Sequence, residues 1–114
     1  MAAAARGAKA AGGTTIGVLP GETASGANEW IDHVVVTGIG HARNLAVVAS
    51  GRAVIAVGGA WGTLSEIGLA RTLGRPVVLL DPGWAVDGEG VEHVATPEEA
   101  VDLALRRAAD VAVD

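Results

Sequence analysis

At 114 residues the chain is one domain at most, long enough to bury roughly two thirds of its extended surface. Half of it is hydrophobic, yet Phe, Tyr and Cys are absent, so the core is Val, Leu, Ile and Ala with three Trp, and disulfides, thiolate metal sites and a cysteine nucleophile are excluded. The net charge of −5 is unevenly spread, six basic and four acidic side chains over residues 1–80 against two and nine over 81–114; this argues against a nucleic-acid footprint while leaving the first part able to host a small anion.

Residues 2–11 are Ala-rich and read as a helix ended by Gly12-Gly13. A strand over 14–19 is closed by Pro20-Gly21, and the small polar residues 21–30 read as a loop. A second strand follows at 32–38 and a short helix at 41–50. The apolar run 52–57 is expected to be a strand buried on both faces. A helix over 63–74 carries apolar residues at 64, 67, 69, 70 and 73. Residues 76–80 form another buried strand, 81–90 a loop and 91–95 a short edge strand. The closing helix, 96–112, has strong start signals: Thr96 at the N-cap, Pro97 at the first position and Glu99 completing a capping box. Strands alternating with helices predict a parallel α/β sheet, in which ligands gather beyond the carboxyl ends of the strands. No stretch approaches 18 apolar residues, so no membrane span is expected, and the lack of Cys fits a reducing, cytoplasmic compartment.

The segment Val57-Gly58-Gly59-Ala60-Trp61-Gly62-Thr63-Leu64-Ser65-Glu66 lies between the strand 52–57 and the helix 63–74. Two readings are open. Glycines let a backbone approach an anion, the first amides of the helix favour negative charge, Thr63 offers a hydroxyl, and Glu66 is one turn in, placed to act as a base or to bind a sugar hydroxyl. Equally, Thr63 and Glu66 have the spacing of a capping box and the glycines serve only to turn the chain. Neither the Walker pattern nor Gly-x-Gly-x-x-Gly is present. Trp61 either stacks on a base or packs on a neighbouring loop or subunit. Asp81 is a ribose ligand or a turn cap before Pro82, and Trp84 covers the cleft or the sheet end. His33 and His93 have no ligand-spaced partners, so no metal is expected, and His41 reads as a helix-start residue.

This segment resembles the signature of the LONELY GUY (LOG) family and its SLOG relatives, Pro-Gly-Gly-x-Gly-Thr-x-x-Glu. Gly59, Gly62, Thr63 and Glu66 match, while Gly58 replaces the Pro and Ala60 the second Gly. Gly40-His41-Ala42-Arg43-Asn44 resembles the family's Met-x-x-Arg-Lys segment, with Asn44 in place of Lys. Residues 7–21 and 95–105 resemble elements that flank these motifs, so the likeness covers nearly the whole chain. The wording of residues 37–44 and 62–66 is nearer the branch that includes molybdenum-cofactor carrier proteins.

The resemblance implies a Rossmann-like, doubly wound sheet. It also implies that the family's first strand–helix–strand unit precedes what is seen here, making residues 1–114 a single, N-terminally incomplete domain of poor stability or obligatory association. LOG enzymes hydrolyse the N-glycosidic bond of cytokinin riboside 5′-monophosphates. Carried over, Arg43 and Glu66 would be catalytic, and Gly58, Gly59, Ala60, Trp61, Gly62, Thr63 and Asn44 would hold a phosphorylated nucleotide. The carrier branch instead implies a phosphorylated pterin bound without turnover, and a purely structural or oligomer-forming subunit that retains only the fold is a third reading. No cofactor is implied. Pyridoxal phosphate in particular needs an active-site lysine, and the only one is Lys9, in the first helix. The family's usual assembly implies a homodimer or larger oligomer, with helices 41–50 and 63–74 as the candidate interface.

Overall fold

The structure, a computed structural model, describes residues 1–80 and 86–111. Asp81 and Trp84, singled out above, lie outside the described residues. The chain divides into two compact units, residues 1–43 and 44–114.

In the first unit, α1 (Ala2–Ala10) draws on the high helix propensity of alanine. It ends where the Gly13 amide turns back to the Ala8 carbonyl at 2.8 Å. Two strands follow, β1 (Ile16–Leu19) and β2 (His33–Val36), parallel and in register from Ile16 opposite His33 to Leu19 opposite Val36. The connection expected to be irregular holds a 3-10 turn at Ala24–Gly26.

A polar knot ties the starts of both strands. Thr15 is buried; its hydroxyl donates to the Trp30 carbonyl at 2.6 Å and accepts from the Asp32 amide at 2.9 Å. The Asp32 carboxylate receives Lys9 Nζ and the Thr15 amide, each at 2.9 Å. The Lys9 hydrogen bond, then that of the Thr15 amide, hold the Asp32 carboxyl below the ordinary carboxylate range. At the other end Thr37 Oγ1 donates to the Leu19 carbonyl at 2.6 Å. All four residues of β2 are exposed, Val34, Val35 and Val36 among them.

The second unit carries three parallel strands in the order β3 (Val54–Val57), β4 (Val77–Leu80), β5 (Val91–Val94). Side chains alternate across a strand, and here the alternation builds two apolar layers. Val77 and Leu79 pack with Val48, Ala56, Ile67 and Ala70, which brings α2 (Arg43–Ser50) and α3 (Trp61–Thr72) to one face. Val78 packs with Ala100, Leu103 and Ala104 of α4 (Pro97–Ala109) on the other. Residues 77–79 are at most 1% exposed, so truncating Leu79 to Ala would cost about 2–5 kcal/mol.

Arg75 joins the far ends of two helices, donating from Nε to the Gly51 carbonyl at 2.8 Å, from Nη2 to Ala49 at 3.1 Å and from Nη1 to Leu73 at 3.2 Å. It thereby satisfies carbonyls that a helix end leaves unpaired. On α4 the expected Thr96 cap is present, the Glu99 amide donating to Thr96 Oγ1 at 3.1 Å, while the Glu99 carboxylate accepts from the Thr96 hydroxyl at 3.1 Å and not from the Thr96 amide as in a full capping box. Arg107 forks onto Glu92 of β5, lowering the Glu92 carboxyl's pKa and raising that of the guanidinium.

The doubly wound parallel α/β architecture read from the sequence is the one observed, and three details are corrected. The strand expected to be buried on both faces is β3, but there only Ala56 is buried and Val57 is 50% exposed. β3 lies at the edge of its sheet, whereas β4 has a strand on either side. The helix expected over 63–74 starts at Trp61. The helix expected from 41 begins as a 3-10 turn, Gly40–Ala42, and becomes α-helical at Arg43. Among the described residues no helix is long and apolar enough to cross a membrane.

Candidate functional site

The segment after β3 is shaped by one backbone angle. Gly58 has φ +74°, in the left-handed region that penalises any side chain. Its amide donates to the Leu80 carbonyl at 3.1 Å, which pins the turn to the end of the central strand. Gly59 and Ala60 are exposed, and Ala60 is the N-cap of α3, with extended φ −121° and ψ 172° and no side-chain cap.

The capping-box reading of Thr63 and Glu66 is therefore overturned. A capping threonine must sit outside the helix with extended backbone, and Thr63 is the third residue inside it. The intrahelical ladder opens with Leu64 N donating to the Ala60 carbonyl at 3.0 Å. The amides of Gly62 and Thr63 precede that first bond and take no acceptor among the described residues. An alanine cap offers no side-chain oxygen in place of one, and the N-cap makes no side-chain hydrogen bond among the described residues.

Gly62 is the second residue of α3, where glycine costs up to about 1 kcal/mol relative to alanine. Packing does not demand it: the nearest atom to an added Cβ is Asn44 Nδ2, at 4.0 Å, an ordinary contact. Asn44 is 5% exposed, and its Nδ2 stands 3.5 Å from Ser65 Oγ, at the outer limit of a hydrogen bond. The structure thus brings Asn44, Gly62 and Ser65 together, with Thr63 and Glu66 partly buried on the same helix. Ser65 escaped the sequence reading because nothing in its spacing announces a partner in α2.

Trp61, the first residue of α3, is 75% exposed, and with the half-exposed Val57 it gives the turn an apolar lip on either side of Gly58-Gly59-Ala60. Arg43 closes the first unit. It is half-buried, not a solvated surface cation: Nη1 donates to the Val18 carbonyl at 3.1 Å, and Nε is the one buried side-chain polar atom without a partner among the described residues. His41 is exposed in the preceding 3-10 turn. His93 Nε2 meets the Val86 carbonyl at 2.8 Å and the Asp87 carboxylate at 3.3 Å, anchoring the segment that leads back into β5. Among the described residues no three His, Asp or Glu side chains gather as a metal site. A shallow apolar groove of about 280 Å³ lies between β3 and α4, lined by Ala53, Ile55, Val101 and Leu105, and holds none of the motif residues.

Comparison with known proteins bears on what this arrangement is. Residues 1–111 match the model of the SLOG cluster4 family. An uncharacterized protein of Archaeoglobus fulgidus is 41% identical over 105 residues, spanning 92% of this chain and 68% of its own length. The structure of the molybdenum cofactor binding protein from the phototrophic bacterium Rippkaea orientalis superposes with a TM-score of 0.79 at 36% identity, over 90% of this chain and 68% of that one. The molybdenum cofactor carrier protein of Chlamydomonas reinhardtii gives 0.78 at 35%, over 93% and 69%. With the Gly-rich strand–helix turn, the Arg43-Asn44 segment and the parallel α/β fold all in place, the chain belongs to the SLOG cluster4 family, on the side of that superfamily occupied by the molybdenum cofactor carriers.

Proposed function

We propose that residues 58–63 hold the phosphate of a small phosphorylated molecule and that this molecule is a phosphorylated pterin, bound intact as cargo. The observation that carries the reading is the opening of α3. Among the described residues it has no side-chain cap and its second and third amides meet no acceptor, and its second position is a glycine that packing does not require. An anion seated there would complete the helix end, and Gly62 would let it come close. The carrier form is supported by two solved relatives of 35–36% identity whose names state that they bind or carry the molybdenum cofactor.

In this reading Gly58 sets the turn, Gly59, Ala60 and Gly62 present backbone, and Thr63 adds a hydroxyl. Asn44 supports the first turn of α3 from below, and Trp61 borders the site. Glu66 and Arg43 also match the catalytic pair of the LOG signature, which keeps a second reading in play: N-glycosidic hydrolysis of nucleoside 5′-monophosphates. Apolar side chains exposed on α2, Leu45 and Val47, are the surface through which a homodimer or larger assembly would form, and sedimentation velocity reads that directly.

Calorimetric titration with a phosphorylated pterin, beside chromatography of nucleoside monophosphate incubations, tests both forms. Micromolar binding without release of free base is the expected outcome. Base release that disappears in Glu66→Gln would replace the carrier with the hydrolase. Absence of heat with every phosphorylated compound would remove both.

A further inference from the structure

The chain has three aromatic side chains in all, and one of them stands 75% exposed at the first position of α3. Burying an indole is worth more than burying almost any other side chain, so a soluble surface has reason to hide it. Trp61 is instead held next to the turn. Its neighbour across that turn, Val57, is a half-exposed aliphatic. Between the two lie only Gly58, Gly59 and Ala60, whose side chains amount to a single methyl group. A helical residue's Cα–Cβ bond tilts toward the N-terminus of its helix. From the first position of α3 that bond points toward the turn that precedes the helix. An exposed apolar ring thus adjoins, along the chain, two amides that meet no acceptor among the described residues, the usual composition of a small-molecule site.

We propose that Trp61 stacks on the planar heterocycle of the bound molecule, with Val57 flanking it, and so selects phosphorylated ring compounds over bare phosphate and sugar phosphates. This rests on the phosphate reading of residues 58–63. Stacking on an aromatic side chain is tolerant of ring identity, since every heterocycle has a π face. The indole thus sets the class of ligand, a flat ring joined to a phosphate through a short linker, and polar contacts at the ring edge would set the member.

Two probes separate the two halves of the claim. Ribose 5-phosphate carries the phosphate and sugar alone; GMP adds a ring that shares the amino-oxo-pyrimidine portion of a pterin. Both are titrated by calorimetry into the full chain and into Trp61→Ala and Trp61→Phe. The expected result is GMP binding roughly tenfold or more tighter than ribose 5-phosphate in the native chain, the scale of one base stacked on an aromatic ring. That ratio should fall to about one in Trp61→Ala and be partly kept in Trp61→Phe. Equal affinity for the two probes in the native chain, or equal weakening of both in Trp61→Ala, would overturn the stacking role while leaving the phosphate reading standing. If neither probe binds, the phosphate reading fails and the stacking role with it. Circular dichroism of Trp61→Ala confirms that the comparison is made on a folded chain.

Discussion

Two glycines on one helix make matching predictions about stability and opposing ones about binding. Gly62 and Gly68 both lie inside α3, and neither has a packing reason to be glycine: nothing stands within 4 Å of a Cβ at Gly68, and only Asn44 Nδ2, at 4.0 Å, is near one at Gly62. Replacing either with alanine removes backbone freedom from the unfolded chain, a gain of about 0.5–1 kcal/mol each. The two positions are about 9 Å apart along the axis at 1.5 Å per residue, so the gains should nearly add. Urea denaturation should therefore place both single variants above the native chain and the double variant above either, with each substitution shifting the melting temperature by a few degrees. Binding should separate them. A ligand oxygen bonded to the Gly62 or Thr63 amide sits about 2.9 Å from nitrogen, close enough that a methyl on residue 62 crowds the approach. Loss of one charge-assisted hydrogen bond, about 1.5–3 kcal/mol, weakens a phosphorylated ligand roughly ten- to a hundredfold. Gly68→Ala should leave that affinity untouched. If Gly62→Ala gained stability and kept full affinity, the glycine would have no tie to a ligand and the case for an anion at this helix end would lose its main support.

Other perturbations test the framework around the site. Gly58→Ala should destabilise by roughly 1–2 kcal/mol, because alanine at φ +74° is strained although nothing crowds its methyl; an unchanged denaturation midpoint would mean that the turn adopts another path. Thr96→Ala removes the side-chain acceptor for the Glu99 amide and should cost about 0.5–2 kcal/mol, most visible as faster hydrogen exchange in the first turn of α4. The Asp32 carboxyl is held below its ordinary value by Lys9 and the Thr15 amide, so its contribution to stability is fully present above the unfolded carboxylate value and is lost as pH falls through the lower folded one. Denaturation midpoints followed from neutral pH down to about pH 2 should fall more steeply in the native chain than in Asp32→Asn; parallel curves would show that this knot does not carry the acid sensitivity.

How much could be read in advance depended on whether the signal was local. The start of α4 was legible because three independent cues, Thr96, Pro97 and Glu99, agree on one residue and each acts within a single turn. The start of α3 was misplaced because Thr63 and Glu66 imitate the same cue, while the actual first turn, Ala60-Trp61-Gly62, has the composition of a loop. That discrepancy is itself informative. A helix begun by an uncapped alanine, with a glycine at its second position, sets local propensity against the fold, and such conflicts gather where a site imposes its own demands. The burial of β3 was overestimated for a different reason. An apolar run states that a strand is covered but not how many neighbours it has, and only pairing order reveals that β4 is central in its sheet and β3 at the edge. The engagement of Arg43 with the Val18 carbonyl spans 25 residues of sequence, and no spacing rule reaches that far. The candidate site was therefore found through its motif and corrected through its geometry. The correction favours the ligand reading, because Thr63, once it lies inside the helix, caps neither its own amide nor that of Gly62, and neither amide meets an acceptor among the described residues.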